Sequence, residues 1–372
     1  MKRFWLTTAL TSAAVLAAGL AAGCAPAARD VAAAPPLGQP AAQALHYLNL
    51  LTQQGRFSGA VLVERAGRVL LRNGFGPADV THHVPDTPAT RFRVGSLTKQ
   101  FTAMAILQLQ AEGRLSVTDR LCRFLNPCPS AWRDITVAEL LTNTSGVPDY
   151  ETLPAYPRLS RQHMTPTQLV ALVAARPLLF RPGTRWSYSN TGYVLLGMIV
   201  TRVSRLSYAG FLTRHVFVPL RMRNTGYDVN HPALPGHATG YVSGERAAPY
   251  IDMSVPYSAG ALYSTIDDLS RWDNALISGH PGIVEPSAIR QMFHSWIQVA
   301  PGFPSEGAYG YGWFIDENGT EYDHDGLING FVSVNAIFPG ARADIIVLSN
   351  LQSADVRTIT DHLAALIGLH AR

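Results

Sequence analysis

Residues 96–113 constrain the fold of this chain more than any other segment. Phe101, Met104, Ala105, Ile106, Leu107 and Leu109 leave almost no polar side, and a helix that is apolar all round is one that its neighbours bury. Gly95 and Ser96 open this helix and Gly113 is its natural stop. In its first turn stands Lys99. Lysine occurs twice in the 372 residues, the other being Lys2 near the start, against twenty-eight arginines. Arginine keeps its proton in a protein whereas a buried lysine shifts its pKa readily, so a lone lysine among arginines is best explained by a need for its neutral amine. The positive end of the helix dipole and burial both push Lys99 that way. Ser96, three residues earlier, shares its helix face. The competing reading makes Ser96 an N-cap. It forms no capping box, because the residue three positions on is Lys99 rather than Glu or Gln.

The formal charge of +4 falls to +2 once Lys2 and Arg3 are removed, and no basic run occurs. Nucleic acid is therefore not an expected partner. Residues 1–24 read as an export signal, with a basic start and an apolar run from Leu6 to Leu20 that is too short to span a bilayer well. Ala22-Gly23-Cys24 is similar to the end of a bacterial lipoprotein cleavage box, with Cys24 as the lipidated residue. Cleavage after Ala25 or Ala27, giving a soluble exported protein, is the alternative. The Ala- and Pro-rich stretch 25–40 reads as a tether. In an exported chain the closely spaced Cys122 and Cys128 are expected to form a local disulfide, two free thiols being the other reading. No spacing suggests a metal site, and His82-His83 would point to opposite faces of a strand, so they read as surface residues rather than ligands.

Ala41–Gln54 has a helical pattern. Gly59–Glu64 and Arg68–Arg72 read as strands of a hairpin through Ala66-Gly67. Helical patterns dominate from Thr136 to about Ile277. Strand patterns return at Gly312–Ile315, Glu321–His324, Phe331–Phe338 and Asp344–Ser349, and Asp355–His370 is a final amphipathic helix. This order predicts an α+β domain over 41–372. Its antiparallel sheet is built from about 41–92 and 305–372 and flanked by the N- and C-terminal helices, with a mostly helical region of about 96–295 inserted.

Two further segments carry chemistry-bearing residues. Tyr188-Ser189-Asn190 leads into a helical run from Val194 to Val203, and His324-Asp325-Gly326 ends a strand. Singly, Asn190 reads as a helix cap and Asp325-Gly326 as a hairpin turn. Together with Ser96-Leu97-Thr98-Lys99 they stand in the order of a known pattern. The chain resembles the penicillin-recognising serine hydrolases, in the class C β-lactamase branch that also holds DD-peptidases, esterases and D-amino-acid peptidases. The segments Thr90–Gly95, Leu140–Pro148, Phe217–Met222 and Gly260–Thr265 extend the likeness over roughly 41–365. Asn143 stands where the family usually has His, in a loop read as structural.

The resemblance implies an acyl-enzyme on Ser96, with neutral Lys99 or a Tyr188 phenolate taking the serine proton and Asn190 holding the Lys99 amine or the substrate amide. It implies an oxyanion hole from the backbone N–H groups of Ser96 and Leu327, and a substrate-binding role for His324 and Gly326. No metal ion or cofactor is implied. His324 replaces the lysine of true class C β-lactamases, which fits peptidases and esterases better. The expected function is a periplasmic, outer-membrane-anchored serine hydrolase acting on amides or esters such as D-Ala-type peptides, with peptidoglycan as a candidate partner. A carboxylesterase, a weak β-lactamase, and a penicillin or peptidoglycan sensor that stays acylated are the alternatives.

Overall fold

The computed structural model describes residues 38–369 apart from 231–235, 280–282, 284 and 300–306. The signal, Cys24 and most of the tether lie outside the described residues. The N-terminal hairpin forms from Gly59–Arg65 and Arg68–Phe75, turning through Ala66 and Gly67, both at positive φ. The free edge of its first strand pairs antiparallel with Ala343–Ser349, Gly59 opposite Ser349 and Arg65 opposite Ala343. One eight-stranded antiparallel sheet results. Its order runs Ile297–Gln298, Ala308–Tyr309, Phe314–Ile315, Tyr322–Ile328, Phe331–Phe338, Ala343–Ser349, Gly59–Arg65, Arg68–Phe75.

The central strands are apolar on both faces because both faces are covered. Val61, Val63, Val334, Ile345 and Val347 meet the terminal helices Gln39–Gln53 and Val356–Leu366 on one side. Ala60, Leu62, Ile346 and Leu348 point into the larger core on the other. That core encloses the helix Thr98–Ala111, which is buried at every residue from Thr98 to Leu109. It packs against Asn190–Ser204, Tyr257–Gly260 and Pro286–Met292.

Three readings need correction. Pro40 was expected in the tether but lies in the first turn of the helix Gln39–Gln53, a place that suits proline because the missing N–H has no helical partner there. Asp325-Gly326 does not end its strand, which runs on from Tyr322 to Ile328. The chain reverses instead at Asn329-Gly330, with Ile328 opposite Phe331. His82 and His83 are surface residues, as expected, but lie in a turn rather than a strand, His83 at φ 53°. The largely helical insertion also holds a small sheet of Phe92–Arg93, Leu262–Ser264 and Gly226–Tyr227. Those strands are too short to show an alternating pattern. Cys122 and Cys128 are joined by a disulfide.

Candidate active site

The helix bearing Lys99 does not start from Ser96 as a cap. A tight turn, Gly95–Leu97, precedes it, with Gly95 at φ +51°. A side chain at Gly95 would strike the Leu327 backbone, its Cβ falling 2.9 Å from the Leu327 nitrogen. The turn is thus pressed onto the strand Tyr322–Ile328. One residue earlier on that strand, a Cβ on Gly326 would lie 2.1 Å from the Val94 carbonyl oxygen and 2.2 Å from Ser333 Oγ. Glycine is required at 326 for this close approach. The contact puts the Leu327 backbone one residue from Ser96.

Relieved of capping, Ser96 Oγ lies 3.0 Å from Lys99 Nζ. Lys99 is fully buried. Its nitrogen also lies 2.7 Å from Asn190 Oδ1 and 2.9 Å from the Ala259 carbonyl oxygen. Burial pushes the amine down to about 7, against the opposing pull of Glu151 and Asp149. Two of its neighbours, a side-chain amide oxygen and a peptide oxygen, can only accept. They claim both N–H groups of the neutral amine, and its lone pair is left facing the Ser96 hydroxyl.

Asn190 is available for this because Ser189 caps its helix, accepting from the Gly192 N–H at 3.3 Å. The Ser189 N–H in turn donates to Asn143 Oδ1 at 3.1 Å. Asn143 sits at φ 58°, a left-handed conformation that Asn tolerates. This loop residue thereby fixes the segment that carries Tyr188. The Tyr188 ring lies 4.6 Å from Lys99 Nζ, and its hydroxyl hydrogen-bonds the Ser96 side chain. Burial, then the neighbouring Tyr309, holds its phenol well above its ordinary pKa. These surroundings favour the neutral phenol over the phenolate. A phenolate would need a second cation beside it, and Lys99 is itself half-neutral near pH 7.

His324 lines the same cleft. Its Nδ1–H donates to the Asp325 carbonyl oxygen at 2.7 Å, so Nε2 is the acceptor for the Tyr309 hydroxyl at 3.2 Å. Burial, with Lys99 adding to it, pushes the imidazole down to about 3. It is neutral, and both ring nitrogens are engaged within the protein. Behind the sheet Arg357, from the C-terminal helix, pairs with Asp323 at 2.8 Å and with Asp325. These pairs hold the strand on the side opposite His324.

Ser96, Tyr188, Asn190, His324 and Leu327 line one cleft of about 680 Å³. Sequence reasoning did not place its outer wall, which Asp149, Glu151, Tyr156, Ile251, Pro256 and Phe314 supply. Burial and Asp149 push Glu151 up to about 7. In the sequence Glu151 was marked only by lying in the loop 148–165, which together with 230–257 was expected to carry the substrate walls; Asp149, Tyr156, Ile251 and Pro256 fall in the same two loops. Residues 326–328 extend beyond the short neighbouring strand Phe314–Ile315, and Leu327 and Ile328 border the cleft. Among the described residues, no group of His, Cys, Asp and Glu is placed to hold a metal ion. Cys122 and Cys128 are not part of the cleft lining.

A serine in hydrogen-bond reach of a buried amine and a phenol, under a strand edge, is an arrangement suited to a serine hydrolase. The family model described as Beta-lactamase matches residues 28–369, and the chain belongs to that family. PbpX of Bacillus subtilis (strain 168), which bears a provisional penicillin-binding-protein name, is 31% identical over 82% of this chain and 73% of its own length. Protein flp of Staphylococcus aureus (strain MRSA252) is 30% identical over 86% of this chain, which spans only 65% of flp. The octameric penicillin-binding protein homologue from Pyrococcus abyssi superposes with a TM-score of 0.79 at 27% identity, covering 88% of this chain and 78% of that one. A D-stereospecific amidohydrolase from Streptomyces sp. gives 0.70 at 27% identity, covering 84% and 97%. The α+β fold is thus the β-lactamase/transpeptidase-like one.

Proposed function

We propose that this serine hydrolase acts through an acyl-enzyme on Ser96, on amide or ester substrates such as D-aminoacyl peptides. The observation that carries the reading is the hydrogen-bond geometry of Lys99, whose neutral form has its lone pair left for Ser96. Lys99 takes the Ser96 proton as Oγ attacks the carbonyl carbon. The oxyanion that forms accepts from the N–H groups of Ser96 and Leu327, donors worth about 3 kcal/mol each in such sites. Tyr188, a neutral phenol bonded to Ser96, passes its proton to the departing amine or alcohol and is reprotonated by the one Lys99 took, which leaves both groups neutral. Water then cleaves the acyl-enzyme, and the proton returns to Ser96.

The cleft favours substrates without a carboxylate beside the reacting carbonyl. Among the described residues, the titratable side chains facing it are Asp149, Glu151, Tyr156, Tyr188 and His324, with no arginine and a neutral imidazole. A penicillin carboxylate therefore meets no arginine among these residues. The D-stereospecific amidohydrolase among the structural neighbours supports the amide reading. A panel of D- and L-aminoacyl amides, short acyl esters, D-Ala-D-Ala peptides and nitrocefin tests it on the purified protein. Turnover of amides or esters with a weak nitrocefin rate is expected; efficient nitrocefin hydrolysis would overturn the substrate reading. A covalent fluorophosphonate adduct that survives Ser96→Ala would overturn the nucleophile. A stable adduct that is never released would make the chain a sensor instead.

The same reading places the protein in the periplasm, held at the outer membrane by lipid on Cys24. The basic, apolar and small run ending at Cys24 supports it, as does the Cys122–Cys128 disulfide, which suits an oxidising compartment. Cys24→Ser should move the protein from the membrane to the soluble fraction. Wild-type protein already soluble, with its N-terminus at Pro26 or Ala28, would establish ordinary cleavage.

A further inference from the structure

The orientation of the Asn190 side chain decides where the Lys99 lone pair points. An amide can present either its oxygen or its NH₂ to a neighbour. With the NH₂ turned to Lys99, the amine would have to give Asn190 its lone pair, and Ser96 would lose it. Some other group must therefore hold the amide one way round.

Asp149 is that group. Its Oδ2 accepts from Asn190 Nδ2 at 3.0 Å. An ionised carboxylate has no proton to donate, so it admits only the NH₂ side of the amide. Asn190 Oδ1 is thereby turned toward Lys99 Nζ, 2.7 Å away, and Ser96 Oγ follows at 3.0 Å. Asp149 is itself fixed. Its Oδ1 caps a short turn by accepting from the Glu151 N–H at 3.1 Å. The flanking backbone is tied to the Asn190 helix by Thr191, which donates to the Pro148 carbonyl at 2.8 Å and accepts from the Tyr150 N–H at 3.0 Å. Burial raises the Asp149 carboxyl, while the N–H groups of Glu151 and Asn190 and the nearby Lys99 favour its anion.

We propose that Asp149 is a positioning residue that sets the polarity of the Asn190 amide and so aims the Lys99 lone pair at Ser96. This rests on the reading of Lys99 as the base for Ser96. Asp149 reaches no reacting atom in this scheme; it acts through Asn190 and through its charge. The other groups facing Lys99 are Glu151 from the same turn, the Tyr188 and Tyr193 rings, and His324 from the strand. Asp149 and Glu151 are the anions that raise its pKa.

The test is a set of three variants, Asp149→Asn, Asn190→Asp and the double exchange, with kcat/KM measured across pH on one amide or ester substrate. Asp149→Asn should lower kcat/KM by about 10- to 100-fold, the range for losing a hydrogen bond to a charged group. It should also move the acid limb of the profile to lower pH, since one anion favouring charged Lys99 is gone. Asn190→Asp alone sets two carboxylates against each other and should lose more. The double exchange restores a donor at 149 facing an acceptor at 190, and should recover at least tenfold over Asn190→Asp. An unmoved acid limb in Asp149→Asn, or losses that simply multiply in the double exchange, would overturn the proposal. Circular dichroism and fluorophosphonate labelling of Ser96 identify a variant that has merely unfolded, and the double exchange then decides between the outcomes. Should Lys99→Arg keep wild-type activity, the base assignment itself fails; loss there with an unaffected Asp149→Asn sinks this proposal alone.

Discussion

Lys99 is where charge and proton transfer separate. Its surroundings favour an amine of pKa about 7, with burial lowering it and two carboxylates restraining the fall. Lys99→Arg keeps the cation and removes the basic lone pair. It should therefore be as inactive as Lys99→Ala, down by about 10²- to 10⁴-fold in kcat/KM, the usual worth of a general base. Near-wild-type rates in the arginine variant would show that Lys99 supplies only charge. The sign of the pH dependence follows from the same group. The base works when deprotonated, so kcat/KM should rise with pH through about 7 and level off above. The limb belongs to the coupled set of Lys99, Glu151 and Asp149 rather than to one group alone. Activity that is already flat from pH 5 upward would remove Lys99 as the titrating base. His324, pushed down to about 3, contributes no limb near neutrality.

At the scale of elements, the site is a contact between one strand and one turn. The strand Tyr322–Ile328 approaches Gly95–Leu97 so closely that Gly326 has no room for a methyl group. The atoms in the way are the Val94 carbonyl, which is backbone, and Ser333 Oγ, which donates to that same carbonyl at 3.1 Å. Neither yields without moving the strand away from Ser96. Gly326→Ala should thus displace Leu327 from the turn. We expect kcat/KM to drop by about 100-fold, as for misplacement of about 1 Å near reacting groups. Overpacking of about 1–3 kcal/mol should lower Tm as well. Paired measurements of Tm and kcat/KM check this, and a fully active variant would mean that the Leu327 backbone is not part of the site. Arg357, bound to Asp323 and Asp325, steadies the same strand from behind the sheet.

At the scale of the molecule, the two ends of the chain close one sheet, and that closure gathers three acids, two of them buried. Glu64 and Asp344 are register partners on the paired strands Gly59–Arg65 and Ala343–Ser349. Asp273, on the helix covering them, is also buried and bonds Asn335 Nδ2 at 2.8 Å. Burial and Glu64 push Asp344 up to about 7, and burial with Asp344 pushes Asp273 up too. A folded-state pKa raised above the unfolded value of about 3.9 makes the native state hold its proton longer. Stability is then fully present below about pH 4 and declines as pH rises through about 7, where Asp344 ionises against its burial. Asp344→Asn removes this cost. It should match wild type near pH 4 and exceed it at pH 8, by on the order of a few kcal/mol. Denaturant melts at the two pH values measure the difference; equal stabilities at pH 8 would show that the cluster is solvated or neutralised.

The sequence by itself determined the buried helix, the lone lysine and serine in its first turn, the strands at both ends and the Tyr188 and His324 motifs. Each is a local pattern: apolar periodicity, residue spacing, or a rare residue type in one place. Tertiary structure alone decided what those residues do to one another. Asn190 read locally as a cap, and Ser189 took that task, because the amide was drawn to Lys99 and Asp149 across distances of 91 and 41 residues in sequence. Asp325-Gly326 read as a turn. It lies within a strand because Gly326 answers a backbone 232 positions away, at Val94, and Asn329-Gly330 supplies the reversal. The loop 148–165 was expected to form a substrate wall, but Asp149 and Glu151 could not be singled out within it, since an acid in a loop has no periodicity or spacing to mark it. Their role comes from burial next to one amine, and burial is a property of the folded chain.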